Sequence, residues 1–177
     1  MNKQLPNREQ AIKILQKNNC STNVITHCQA VTSLALELAE EFKAKNYPIN
    51  LELIEAGALL HDLGRSKTHS VNHAIEGMKL AQTENLPDPV ICIIKRHVGA
   101  GITAEEANQL DWPEDNYIPQ TLEEKIVCYA DKCISGNDRV SVETTIKQLH
   151  DKNLDDAAKR VRKLYNEIIS LLERQQF

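Results

Sequence analysis

The chain has no apolar run approaching the ~20 residues that a bilayer-spanning helix needs. Its opening residues, Met1-Asn2-Lys3-Gln4-Leu5-Pro6, lack the apolar stretch of a secretory leader. A cytoplasmic protein with no membrane partner is the expectation. Paired cysteine motifs are missing as well: Cys20, Cys28, Cys92, Cys128 and Cys133 are odd in number and contain no CxxC, which argues against a disulfide framework or a zinc-thiolate site. Cys28 and Cys92 fall in apolar helical stripes and read as small buried hydrophobes. Basic residues are in deficit, 21 against 25 acidic ones for a net charge of -4, so duplex nucleic acid is not an expected partner. Strand-like alternation, internal repeats and low-complexity segments are also absent.

What remains is an ordinary globular composition, 41% apolar and 26% charged over 177 residues, enough for one domain spanning 1–177 with a substantial core. Apolar residues recur at three and four, which predicts an all-α, single-domain bundle of about seven to nine helices. Asn7 with Gln10 marks a helix start, with Ala11, Ile14 and Leu15 facing inward and an end near Asn19. Ser21 or Asn23 caps a second helix, whose stripe is Val24, His27, Cys28, Val31, Leu34, Ala35, Leu38 and Phe42. A third runs through Leu53, Ile54, Gly57, Ala58, Leu60 and His61 until Gly64 stops it. Residues 65–71 read as a polar loop and 72–83 as a short helix with His73 in its first turn. Pro87-Asp88-Pro89 opens the helix that ends at His97. Thr103 with Glu106 and Thr121 with Glu124 are capping-box patterns for helices over 105–110 and 122–135, separated by a surface loop from Trp112 to Pro119. Residues 154–176 form a C-terminal packing helix, which leaves open whether it covers its own domain or a second copy in a homodimer.

His27, His61 and Asp131 occur on or beside apolar helical faces, and Asp62 adjoins one of them. A single inward histidine is usually a satisfied core residue. Three helices presenting such groups together point to convergence on one cation, because helical bundles build metal sites from inward side chains of facing helices. Neighbouring residues on a regular helix diverge by about 100°, so His61 and Asp62 reach one site only where the helix frays. His73 and His97 are further candidate ligands, with first-turn and C-cap placements as their bland alternatives. His69 suits a surface position.

The order His27, His61-Asp62, Asp131 on predicted helices resembles the HD-domain superfamily, and His61-Asp62-Leu63-Gly64-Arg65 is similar to its HDIG-type motif. The resemblance covers about residues 21–136. It implies that His27, His61, Asp62 and Asp131 hold a first divalent metal. It further implies that His73 and His97 correspond to the extra histidines of the two-metal branch, in which the aspartate of the doublet bridges. One or two ions of iron, manganese, zinc or nickel suit imidazole with carboxylate, and magnesium suits it less.

The expected activity is a metal-dependent phosphohydrolase that attacks phosphorus of a small phosphorylated substrate, a nucleotide by class, with a metal-bound hydroxide. Asp62 and Arg65 are the expected catalytic residues, with Arg65 as phosphate clamp and Lys95 or Arg96 as helpers. Lys67, Lys132 and Arg139 lie near the ligands in sequence and read by default as solvated. Glu76 is a candidate contact to metal-bound water, with exposure as its alternative. Two other readings stay open: a di-iron oxygenase, which the same ligand order implies within the superfamily, and a non-catalytic nucleotide-sensing module.

Overall fold

Helix starts in this chain are set by short polar side chains that accept hydrogen bonds from otherwise free backbone N–H groups. The computed structural model, which describes residues 4–174, shows this at six helices. Asn7 forms a full capping box with Gln10 for α1 (Arg8–Lys17), Ser21 caps α2 (Thr22–Ala44), and Asn50 caps α3 (Leu51–Leu60). The fourth and fifth helices, α4 (His73–Thr83) and α5 (Asp88–Arg96), begin without a side-chain cap, α5 with proline in its first turn. Thr103 makes a capping box for α6 (Ala104–Gln109), Thr121 caps α7 (Leu122–Lys132), and Ser141 caps α8 (Val142–Asp151). The last helix, α9, runs Asp155–Glu173. Met1–Lys3 and the predicted last residues of α9, Gln175 and Gln176, lie outside the described residues.

With only six glycines in the chain, helix ends rely on asparagine and aspartate instead. Asn19, Asn46, Asn85, Asp111 and Asn153 adopt positive φ just beyond α1, α2, α4, α6 and α8, where a short polar side chain tolerates the left-handed region. Among the described residues there are nine α-helices, in keeping with the predicted all-α class.

Several local expectations change. The seventh helix stops at Lys132 rather than Ser135, and the chain then forms a two-stranded hairpin, β1 (Ile134–Ser135) against β2 (Asp138–Arg139). Residues 136–154, where the sequence suggested no element, contain β2 and α8. The Thr121–Glu124 box is half made: Thr121 accepts from the Glu124 N–H, but the Glu124 carboxylate accepts from the Gln120 N–H and Arg96. In the 112–119 segment, Pro113, Glu114, Asp115 and Asn116 are exposed as expected of a surface loop, while Trp112 and Tyr117 are buried and meet edge to face, anchoring it to the core. Cys92 is only half-buried.

The core has two parts that share α2, α3 and α5. One gathers Leu15, Leu59, Leu60, Ala74 and Ile94 from α1, α3, α4 and α5. The other gathers Val31, Ile54, Ala58, Ile93, Ile126, Val161 and Ile168 from α2, α3, α5, α7 and α9. Because α3 serves both, its C-terminal end emerges where the two meet.

Candidate metal centre

Helix α3 ends at Leu60. His61 is its C-cap, Asp62 leaves helical geometry (φ -99°, ψ 18°), and a 3-10 turn follows over Leu63–Ser66. This break turns both neighbours toward one place. Gly64 does not act by a left-handed stop: it is absent from the positive-φ positions. A Cβ at Gly64 would lie 1.9 Å from the His73 carbonyl oxygen and 2.4 Å from the Gly77 N. Glycine is therefore required because the turn carrying Asp62 crosses the backbone of α4, the helix that begins with His73.

The four histidines share one arrangement. Nδ1 of His61, His73 and His97 donates to the carbonyl three residues earlier, on Ala58, Ser70 and Ile94, at 2.7 Å in each case. His27 Nδ1 donates at 2.7 Å to the carbonyl of Gly136 in the hairpin turn. A carbonyl can only accept, so every Nδ1 carries its proton, and each ring turns its Nε2, the atom that would ligate a metal, to the interior of the cluster.

The carboxylates meet those nitrogens in an ordered way. Asp62 Oδ1 lies 3.2 Å from His73 Nε2 and 3.4 Å from His97 Nε2. Its Oδ2 faces His61 Nε2 at 3.7 Å and His27 Nε2 at 3.9 Å. Asp131 Oδ1 is 3.1 Å from His27 Nε2 and 3.4 Å from His61 Nε2. His73 and His97 face each other Nε2 to Nε2 at 3.0 Å. Buried His61 Nε2 and Asp62 Oδ1 have no hydrogen-bond partner. Orphaned buried polar atoms cost on the order of 1–3 kcal/mol each, and a cation bound among them removes that cost. Two groups, His27–His61–Asp131 and His61–Asp62–His97, have ligand atoms mutually within 4.8 Å and could each hold an ion. The donors present fit a divalent metal.

Charges reinforce the arrangement. Burial alone would lower the His61 pKa, but the Asp62 carboxylate beside it raises it well above the usual histidine value. Burial works to raise the pKa of Asp62, and His61, with His73 and His97, holds it well below the usual carboxylate range. For Asp131, burial is likewise outweighed by Lys132, then by His27 and His61. Burial pushes His97 down to about 4, so its ring is neutral near pH 7.

The remaining candidates divide. Arg65 Nε donates to Asp62 Oδ2 at 3.2 Å, and its guanidinium also reaches the His69 carbonyl at 3.0 Å. Lys132 donates to Asp131 Oδ2. Lys95 instead pairs with Asp115, Arg96 forms a two-pronged contact with Glu124, Arg139 pairs with Glu37, and Glu76 pairs with Lys79. His69 and Lys67 are exposed. The carbonyl of Gly136 had no signal in the sequence, since it lies 109 residues from the ring it orients.

A helical domain with an inward cluster of imidazoles and carboxylates suited to divalent cations is the class that this fold and site define. The HD-domain family model matches residues 24–136, and the chain belongs to that family. It is 44% identical over 168 residues to an uncharacterised protein of Methanocaldococcus jannaschii, covering 93% of this chain and 98% of that one. It is 38% identical over 172 residues to a tRNA (cytidine(56)-2'-O)-methyltransferase of Picrophilus torridus, covering 97% of this chain and 49% of the relative. It thus spans about half the length of that methyltransferase. Among solved structures, the HD domain of the L. monocytogenes phosphodiesterase PgpH in complex with cyclic-di-AMP shares the fold, with a TM-score of 0.57 at 16% identity over 93% of this chain and 99% of that one. No helix among the described residues is long and apolar enough to cross a membrane.

Proposed function

We propose that this chain is a metal-dependent phosphohydrolase acting on a small phosphorylated substrate of the nucleotide class. The observation that carries the reading is the division of Asp62: one oxygen faces His73 and His97, and the other faces His61 and His27. On this reading His27, His61, Asp62 and Asp131 would hold one divalent ion, and Asp62, His73 and His97 would hold a second, with Asp62 common to both sets. Such ions supply Lewis acidity and a water that ionises near neutral pH. Iron, manganese, zinc or nickel suit these donors better than magnesium.

The chain's own groups do the rest. The four Nδ1–H bonds fix the ring orientations and leave each Nε2 as a donor atom. Burial of His61, His73 and His97 keeps bulk water from their nitrogens. Arg65 would bind a phosphoryl oxygen with its remaining N–H groups, a role that the contact of its guanidinium with Asp62 supports. Kinship with tRNA-modifying enzymes and a shared fold with a cyclic-dinucleotide phosphodiesterase support a nucleotide or RNA-end phosphate as the substrate class.

The test is anaerobic purification and metal quantification, followed by a panel of phosphomonoesters, cyclic and linear phosphodiesters, nucleoside triphosphates, dinucleoside polyphosphates and tRNA. Release of phosphate or nucleotide by the wild type, lost in His61→Ala and Asp62→Ala, is the expected result. Release from none of them, with oxygen uptake on adding a polyol or phosphonate, would establish the oxygenase instead. Tight nucleotide binding with no turnover would establish a sensing module.

A further inference from the structure

Side-chain exposure locates the mouth of the cluster. His61, His73 and His97 are 0%, 4% and 2% exposed, whereas His27, Asp131, Lys132 and Arg65 are 18%, 13%, 13% and 30% exposed. The more exposed side of the cluster is therefore the edge where α2 meets the end of α7, with Arg65 on the Asp62 side and Lys132 on the Asp131 side.

We propose that Lys132 is a substrate-binding residue of this centre, whose ammonium takes a peripheral oxygen of the substrate phosphate opposite Arg65. The assignment rests on the phosphohydrolase reading above. Asp131 turns Oδ1 to the histidines and Oδ2 to Lys132. The lysine thus stands on the outer oxygen and leaves the inner one free for a cation. An ammonium has three N–H donors, and among the described residues the Lys132 ammonium donates to Asp131 alone. Donors remain for a ligand at the mouth. Of the other cations near the ligands in sequence, Lys95 is engaged by Asp115, Arg96 by Glu124 and Arg139 by Glu37, and Lys67 is exposed without contact to Asp62 or Asp131. Among the described residues, Arg65 and Lys132 are the lysine and arginine side chains in contact with Asp62 or Asp131.

Charge balance favours the same role. Arg65 and Lys132 already offset the two carboxylates. Divalent ions bound by the histidines and the inner oxygens leave the mouth strongly positive, a setting in which both side chains are attracted to an incoming phosphate.

A purely structural partner of Asp131 would behave differently, and inorganic phosphate separates the two roles without knowledge of the true substrate. The full metal-loaded chain is titrated with phosphate by calorimetry, with metal content measured on the same samples, for the wild type, Lys132→Gln and Lys132→Arg. The expected result is a phosphate Kd weakened about tenfold or more in Lys132→Gln at unchanged metal content, and largely restored in Lys132→Arg. Unchanged phosphate affinity in Lys132→Gln overturns the assignment alone. So does a Lys132→Gln protein that folds, by circular dichroism, but no longer holds metal, because that makes the lysine a support for Asp131. Absence of phosphate binding by the loaded wild type overturns this assignment, while turnover of the substrate panel remains the separate test of the hydrolase reading.

Discussion

His73 and His97 approach each other Nε2 to Nε2 at 3.0 Å while the Nδ1 of each ring is committed to a backbone carbonyl. Whenever both rings are neutral, as ligation of a metal through Nε2 requires, they aim lone pairs at one another, and Asp62 Oδ1 adds a third acceptor within 3.4 Å. Three electron-rich atoms converging in a buried space are mutually repulsive until a cation sits among them.

Metal stoichiometry follows from that geometry. Carefully loaded wild-type protein is expected to bind about two ions per chain, His73→Ala and His97→Ala about one, and Asp62→Ala to lose the second ion and weaken the first. Elemental analysis checks this. A single ion in the wild type, unaffected by His73→Ala, would count against the bridge.

Gly64→Ala tests the crossing of the motif turn with α4. A methyl group placed 1.9 Å from a carbonyl oxygen and 2.4 Å from a backbone nitrogen has no rotamer with which to escape. Destabilisation of at least about 3 kcal/mol by denaturant titration is expected, beyond ordinary overpacking, together with reduced metal content because the same turn carries Asp62. A change within about 0.5 kcal/mol would show that the turn and α4 are not in contact.

The dependence on pH has a defined sign. The His61 pKa is raised above 6.5 in the folded protein, so its stabilising contribution to the metal-free chain is fully present below pH 6.5 and is lost as pH rises through the raised value. Metal must displace that proton. Apparent metal affinity should therefore fall as pH falls below the raised pKa, by up to about tenfold per unit for each proton displaced. Calorimetry in buffers of different ionisation enthalpy reads the released proton directly, and loading without proton release would refute the protonated His61.

Much of this was legible in the residues. Apolar recurrence at three and four, with Asn7, Ser21 and Thr103 as caps, was enough for the helices, since both signals are local. His27, His61, Asp62 and Asp131 stand out as polar groups on or beside apolar helical faces, His73 and His97 enter through the family resemblance, and the fold brings all six together. The partners of Lys95 and Arg96 were not legible, because Asp115 and Glu124 lie 20 and 28 residues away and only tertiary packing selects them. Gly64 was legible as a glycine but not for its reason: close approach to α4 depends on a helix that begins nine residues later. The hairpin after Lys132 is too short for strand periodicity to register.

That hairpin sets an order of assembly. His61, His73 and His97 each take their orienting carbonyl from three residues back, so their ring orientation is available as soon as α3, α4 and α5 form. His27 belongs to the second helix, yet its carboxylate partner Asp131 comes from the last turn of α7 and its orienting carbonyl from Gly136 in the hairpin beyond. During synthesis the half of the pocket around Asp62, His73 and His97 is encoded by residue 97, and the other half waits for residue 136. A nascent chain or fragment ending between those points carries an unclosed cluster, and the completed mouth is a sign that the domain has been made through its hairpin.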